Sequence, residues 1–530
     1  MSYIEGEDTE HGSNMEMKQE SFPLQGEDTG STHIDDQTLQ LPKHEQHQSF
    51  LNELRNSRST QFKVILSTSV ACAFGVLGWS KGQIGPAFLD ILAISNTDLE
   101  AGSAFITAYF VGRVVGSLLC GGIYSKVNKY LLIGLAMTGN SAMFVVIPWC
   151  SRYELMITAH VLHGLMGGVL AVGNTLLFFS YISFSLISMA VSIWGVSPRG
   201  RSYLNIFYAA FAVSGLISPM VTSPFLLKVP SYSHNGSSPD EHSLDSPYPY
   251  ANWNVSTTIV NISGNVSTLQ SSMTDFLSPR SNVYKAYSIS AGVAMLASIP
   301  FIVFFLKSRT STAQNTKGAA FHFIGHLPLS IKVLQLINIG IYASFFNAID
   351  FTFSGYLTVF CVQHLEWTKT SGSLLTSVVF CATLTGRILG IFLVHHLNSL
   401  TILSLSTLTC SIGFLGLALS ALAYKDAGIW VSVCVLGIPL GIGWPSILSW
   451  SNEHFVHACG KMTAFFMVTA FIGALLSPML FGYMMEEYSP IWFCYLNLGK
   501  SVINIINVVL MVVYSRFLRS LSETVVANNC

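Results

Sequence analysis

Residues 110–116 are Phe-Val-Gly-Arg-Val-Val-Gly, and residues 384–390, which lie 274 positions later, are Leu-Thr-Gly-Arg-Ile-Leu-Gly. Two further matches follow in the same order in each half: Gly-x-x-x-Gly at 164–168 and 437–441, and Ser-Pro-Met at 218–220 and 477–479. Each match is short, but their common order indicates an internal repeat. The sequence therefore predicts a molecule built from two related halves.

The composition points to a lipid environment. The chain has 530 residues, of which 51% are hydrophobic and 10% are charged, and its mean hydropathy is +0.52. Soluble domains carry about 25% charged residues. A chain this poor in charge cannot cover itself with polar surface, so we expect the lipid bilayer to be one of its partners.

Apolar stretches long enough to cross a bilayer recur twelve times, since a membrane helix needs about 20 apolar residues. We predict an all-α membrane protein with twelve transmembrane helices in two six-helix repeats, the halves spanning 62–306 and 331–515 and joined by a cytoplasmic linker at 307–330. The predicted spans are 64–90, 102–123, 130–149, 155–178, 203–226, 285–306, 331–362, 372–395, 400–423, 428–450, 461–484 and 490–514.

Both ends of the chain are expected in the cytoplasm, because the basic residues of the short loops fall on one side in that arrangement. Residues 1–50 hold eleven acidic residues and only two lysines. We interpret 1–61 as a disordered acidic tail, either without a function of its own or with a trafficking or partner role. Residues 516–530 form the second cytoplasmic tail.

The polar loop 227–284 between spans five and six is expected outside the cell, because glycans attach on the lumenal side of the membrane. It contains four Asn-x-Ser sequons, at Asn235, Asn254, Asn261 and Asn265. This placement agrees with the orientation that the basic residues predict. We therefore expect a glycoprotein of the plasma membrane.

Residues 178–192 form an apolar insertion, because the first half has about 15 more residues than the second between its fourth and fifth spans. A thirteenth crossing would put the sequons in the cytoplasm. We therefore predict that this segment does not cross the membrane. It extends span four, lies along the interface, or derives from an error in the gene model.

Several ordered blocks carry a family resemblance: AYFVGRVVGSLLCGGIYSKVNKYLLIGLAM at 108–137, HGLMGGVLAVGN at 163–174, FTFSGY at 351–356 and WTKTSGSLL at 367–375. The chain resembles the sodium-dependent glucose transporter 1 branch of the major facilitator superfamily. The resemblance implies sodium-coupled uptake of glucose or a similar small polar solute, with Na⁺ as the coupling ion. Ser125 stands where the superfamily usually has an acid, which affects the expected gating contacts.

Asp350 lies near the middle of span seven, at a position where the resemblance implies an acid. An ionisable group at membrane depth is costly and usually faces a cavity or a partner. Because carboxylate oxygens suit a hard cation, we predict that Asp350 couples transport to Na⁺. The alternative is an acid paired with a buried arginine for structure.

Gating residues are expected at Arg113, Arg387 and Glu453. The two arginines occupy equivalent positions in the two halves. They would pair with acids, or else extend to the membrane surface. Asp90, near the outer end of span one, is expected in a solvated position, and Lys500 in span twelve has no evident partner in the sequence.

Solute binding is predicted for six residues on spans four, seven and ten, because amides, hydroxyls and aromatic faces hold small polar solutes. The alternatives are lipid packing for the tryptophans and interhelical bonding for the asparagine on the glycine-rich span. The six are Asn174, Asn347, Tyr356, Trp444, Ser446 and Trp450.

Two other functions remain open at this stage. One is a facilitative pathway for a small neutral solute such as urea, and the other is a non-transporting membrane protein. We expect no enzyme, metal site or cofactor, because the sequence shows no nucleophile–base group, metal-ligand spacing or phosphate-binding loop. With no compact basic patch we expect no nucleic-acid partner, and we expect a monomer.

Overall fold

A computed structural model describes residues 58–178, 200–227, 281–308, 329–454 and 460–529. These residues form twelve long helices, two of which, α3 and α5, continue into short 3₁₀ turns at Ile147–Trp149 and Ser223–Phe225. The helices are α1 Arg58–Ser95, α2 Leu99–Ile123, α3 Lys129–Val146, α4 Tyr153–Leu177, α5 Gly200–Thr222, α6 Val283–Ser308, α7 Leu329–Gln363, α8 Lys369–His396, α9 Ser399–Leu422, α10 Asp426–His454, α11 Gly460–Glu487 and α12 Trp492–Asn529.

All twelve helices are long and apolar enough to cross a membrane. Large apolar side chains cover the outside of the bundle, as at Leu296, Leu334 and Leu476, each about 70% exposed. A bilayer requires helices with this outward character, because its interior offers no hydrogen-bond partners to the backbone. The prediction of a twelve-helix membrane protein is therefore confirmed.

The bundle has two ends, which we name by the connections they carry. At the linker end, α6 ends and α7 begins, and there the Asn128 amide donates to the Ser308 hydroxyl at 2.7 Å. At the long-loop end, α5 ends and α6 begins. Because consecutive helices alternate in direction, α1 and α7 both run from the linker end to the long-loop end.

Within each half, glycines bring helix backbones into contact. A Cβ on Gly112 of α2 would overlap the Val161 carbonyl of α4, and a Cβ on Gly164 would overlap the Tyr109 carbonyl. In the second half, Gly386 of α8 packs in the same way on Ile438 of α10. The repeated glycines of the sequence thus close equivalent helix pairs, α2–α4 and α8–α10.

Between the halves, the contacts follow the repeat. The most extensive pairs are α2 with α11 and α5 with α8, and α1 also packs on α7. Since α8 is the equivalent of α2 and α11 the equivalent of α5, the first two seams are related by an approximate two-fold axis. Residues on α1, α2, α5, α7, α8 and α11 therefore meet at the interface.

Several predictions lie outside the described residues. These include most of the tail 1–61, the four sequons, the linker between α6 and α7, and all of 178–192 except Phe178. The described part places the end of α4 at Leu177 and the start of α5 at Gly200. The domain boundaries and the fate of the insertion stay predictions.

Candidate functional site

An ion pair joins the two halves in the middle of the bundle. The Lys81 ammonium of α1 lies 2.6 Å from a carboxylate oxygen of Asp350 on α7. Both residues lie near the middle of their apolar spans, Val64–Ser95 and Val333–Gln363. The lysine side chain is 8% exposed and the aspartate side chain is 27% exposed. Lys81 is thus buried, whereas Asp350 is partly accessible.

Aromatic rings from two further helices surround the lysine. Its Nζ lies 5.9 Å from the ring centroid of Phe211 on α5 and 5.6 Å from that of Phe380 on α8. The ring faces carry partial negative charge and so offset some of the cost of burying an ammonium group. Four helices, two from each half, therefore meet at Lys81.

A second cation, Arg387 of α8, reaches from the C-terminal half into the N-terminal half. Its guanidinium lies 5.0 Å from the Tyr208 ring and 5.9 Å from the Phe211 ring, both on α5. Trp444 of α10 donates its indole N–H to the Tyr208 hydroxyl at 2.9 Å. Arg387 is 4% exposed, and its Nε and Nη1 have no hydrogen-bond partner among the described residues.

Arg113 of α2 makes the corresponding contact in the opposite direction. Its guanidinium stacks on Phe471 of α11 at 4.5 Å and on Tyr109 of its own helix at 5.2 Å. Among the described residues, neither Arg113 nor Arg387 forms an ion pair, so the expected pairing with acids is not observed. Arg387 is buried and does not extend to the membrane surface.

The exposure of the residues around Asp350 indicates a cleft that opens toward the linker end. From Phe351 to Val362, on the long-loop side of Asp350, every residue of α7 is buried. On the linker side, Asn347 lies one helical turn away on the same face and is partly exposed, as is Trp444 across the interface. A solute could therefore approach the ion pair from the linker end in this conformation.

The long-loop end is closed by a second ion pair between the halves. Lys369 at the start of α8 lies 2.7 Å from Asp90 of α1, which also accepts hydrogen bonds from the Ser281 hydroxyl and the Leu227 amide. Asp90 has no exposed surface. The expectation of a solvated Asp90 is wrong, because three donors from α8 and from both ends of the long loop cover it.

Three further hydrogen bonds lie at the same end, and two of them cross between the halves. The Tyr356 hydroxyl on α7 donates to the Ser103 hydroxyl of α2 at 2.7 Å and to the Pro478 carbonyl of α11 at 3.1 Å. Ser373 of α8 donates to the Pro219 carbonyl of α5. Tyr356 is completely buried, so in this conformation it bonds helices together instead of facing the cleft.

The other predicted binding residues divide into two groups. Trp444 and Asn347 border the cleft, although the Asn347 amide already donates to the Ala470 carbonyl of α11 at 3.0 Å. Ser446 donates to its own helix at Ile442, and Trp450 is buried. Asn174 has no exposed surface, and neither of its side-chain polar atoms has a partner among the described residues.

Glu453 lies in the last turn of α10, and its side chain is outside the described part of the structure. The site residues that the sequence analysis missed are Lys81, Tyr208 and Lys369. Lys81 had a detectable signal, because a lone lysine in an apolar span is costly and implies a partner. Tyr208 and Lys369 carried no such signal in the sequence.

Comparison with known proteins settles the fold. The crystal structure of a mutant of the nucleoside transporter NupG superposes with a TM-score of 0.54 at 10% identity, covering 85% of this chain and 99% of that one. A family model described as Major Facilitator Superfamily matches residues 251–478. The chain has the major facilitator fold.

Curated proteins with this resemblance are named sodium-dependent glucose transporter 1. The protein from Homo sapiens is 23% identical over 441 residues, covering 82% of this chain and 76% of its own length. Sodium-dependent glucose transporter 1A from Mus musculus is 22% identical over 423 residues, covering 78% and 88%. The resemblance predicted from the motifs is confirmed, and the chain is a multi-pass membrane protein of transporter fold.

Proposed function

We propose that this chain is a secondary transporter that moves glucose or a similar small polar solute by alternating access, coupled to Na⁺ through Asp350. The observation that carries the proposal is the Lys81–Asp350 ion pair, which joins the two halves at mid-bundle. Substrate sites of major facilitator proteins lie at this repeat interface, near the bilayer midplane. The names of the relatives suggest the sugar and the ion.

The conformation supports alternating access. The long-loop end is closed by the Asp90–Lys369 pair, while a cleft reaches Asp350 from the linker end. With the termini in the cytoplasm and the glycosylated loop outside, this is a state that faces inward at the plasma membrane. Trp444 and Asn347, which are partly exposed beside the ion pair, are the proposed contacts of the solute in this state, and Arg113, Arg387 and Glu453 stay the proposed gate.

Asp350 is the proposed sodium ligand. In the present state Lys81 neutralises the charge of Asp350. A cation therefore binds Asp350 well only after Lys81 has moved away or has paired with another anion. This exchange would link the ion to the solute, because Lys81 and the cation compete for the same carboxylate.

The first test is uptake of a radiolabelled glucose analogue by cells that express the chain, in sodium buffer and then in choline buffer. Uptake that requires sodium, and loses this requirement in Asp350→Asn, supports the proposal. Sodium-independent uptake of urea that Asp350→Asn leaves unchanged would support a facilitative pathway instead. Surface expression without flux of either solute would favour a non-transporting protein.

A further inference from the structure

The interface carries more positive than negative charge. Lys81, Arg113 and Arg387 all project there, and among the described residues Asp350 is the carboxylate that faces them. Lys81 forms the ion pair with that carboxylate, and neither guanidinium group forms an ion pair with a described residue. Charges at membrane depth are usually paired, and the described residues supply fewer anions than cations at this interface.

The backbone of Glu453 lies far from Arg387 along α10. The backbone of Arg387 packs against Gly441 of α10, and Glu453 lies twelve residues further along that helix. At 1.5 Å per residue the separation along the axis is roughly 18 Å.

Among the three cations, Arg387 gives the clearest indication of a missing binding partner. It is 4% exposed, and two of its three nitrogens have no acceptor among the described residues. An aromatic face offsets only part of the cost of removing a guanidinium group from water. The unused N–H groups can each donate a charge-assisted hydrogen bond to a carboxylate oxygen.

Lys81 and Arg387 approach the same ring. The Lys81 ammonium and the Arg387 guanidinium both lie 5.9 Å from the centroid of the Phe211 ring. The two positive charges also repel one another electrostatically, and an anion placed between them would relieve that repulsion. Tyr208 and Trp444 border this position and offer aromatic surface to the body of an organic solute.

We propose that the transported solute is a small organic anion whose carboxylate binds between Arg387 and Lys81. The proposal rests on the transporter role proposed above, but it replaces the neutral sugar with an anionic solute. A neutral sugar would leave the guanidinium charge uncompensated. A solute carboxylate that binds Lys81 also releases Asp350, which then becomes free to accept Na⁺.

The test is ligand-induced thermal stabilisation of the purified full chain in detergent. The probes are pairs that differ in charge: glucuronate against glucose, lactate against glycerol, and benzoate against benzyl alcohol, all at constant ionic strength. We expect at least one carboxylate to raise the melting temperature in a saturable way, with a smaller effect of its neutral partner.

The variants assign the effect to the site. Arg387→Gln should weaken the apparent affinity for that carboxylate about tenfold or more, and Arg387→Lys should weaken it less, since it keeps the charge but loses the fork geometry. Lys285→Gln is the matched control, because Lys285 is an exposed cation at the start of α6. Size-exclusion profiles confirm folding, and Arg387→Lys serves as the test if Arg387→Gln misfolds.

The proposal is overturned if none of the carboxylates stabilises the wild-type chain more than its neutral partner. It is also overturned if chloride or phosphate alone gives the same Arg387-dependent shift, because the site then takes an inorganic anion. Flux of glucose in proteoliposomes without anion binding would contradict this inference but support the proposed transport function. Carboxylate binding without any flux would support the anion-binding site but contradict the proposed transport function.

Discussion

The Lys81–Asp350 pair shows how single residues set both stability and function in this interface. Removing one partner of a buried pair leaves an uncompensated charge, which typically costs about 3–5 kcal/mol. Removing both partners together can be nearly neutral. The two side chains are 8% and 27% exposed, so water screens the aspartate in part, and we expect costs at the lower end of that range.

We predict that Lys81→Met and Asp350→Asn each lower the melting temperature of the purified protein, and that the double variant recovers most of the loss. The reason is that the double variant leaves no unpaired charge in the pair. Differential scanning fluorimetry measures this non-additivity. Melting temperatures that fall additively would show that the two residues are not energetically coupled.

Lys500 of α12 is a buried cation of a different kind. Its Nζ donates to the Thr352 hydroxyl at 3.2 Å and lies 4.1 Å from the Phe481 ring centroid, and it forms no ion pair with a described residue. We predict that Lys500→Met, which keeps an unbranched side chain and removes the charge, does not lower the melting temperature. A fall of several degrees would reveal an anionic partner beyond the described residues.

The helices were predictable from sequence, and most of their side-chain partners were not. Apolar length alone located all twelve helices, because the bilayer imposes a minimum span. The repeated Gly-Arg motifs placed α2 opposite α8. In contrast, Asp90 and Lys369 lie 279 residues apart, and nothing local to either residue indicates the other. The cleft at Asp350 likewise depends on how the two halves are tilted.

At the scale of helix pairs, the α2–α4 contact should tolerate no added volume. A Cβ on Gly164 would overlap the Tyr109 carbonyl oxygen, whereas a Cβ on Gly292 of α6 would meet nothing within 4 Å. We predict that Gly164→Ala destabilises the protein by about 1–3 kcal/mol, and that Gly292→Ala has little effect. Urea or thermal unfolding in detergent compares the two, and equal behaviour would contradict the close packing.

For the whole molecule, the two-fold relation between the seams has a mechanical consequence. The α2–α11 and α5–α8 seams are the most extensive contacts between the halves and can act as hinges for a rocking motion of one half on the other. Opening of the long-loop end then requires that the Asp90–Lys369 and Tyr356–Ser103 contacts break together. The fraction of molecules closed at the long-loop end, relative to those open there, should depend on the strength of these contacts.

We predict that Lys369→Met shifts the molecule toward a state open at the long-loop end, because Asp90 loses its cation and gains from hydration. A cysteine at position 103, which is buried at the seam in this conformation, reports the opening. On the Ser103→Cys background, Lys369→Met should speed labelling by a membrane-impermeant thiol reagent roughly tenfold, which corresponds to a shift of about 1.4 kcal/mol. Lys285→Met removes an exposed charge at the same end and should leave the rate unchanged. Equal labelling of the two variants, above the background of native cysteines, would mean that the Asp90–Lys369 pair does not hold this end closed.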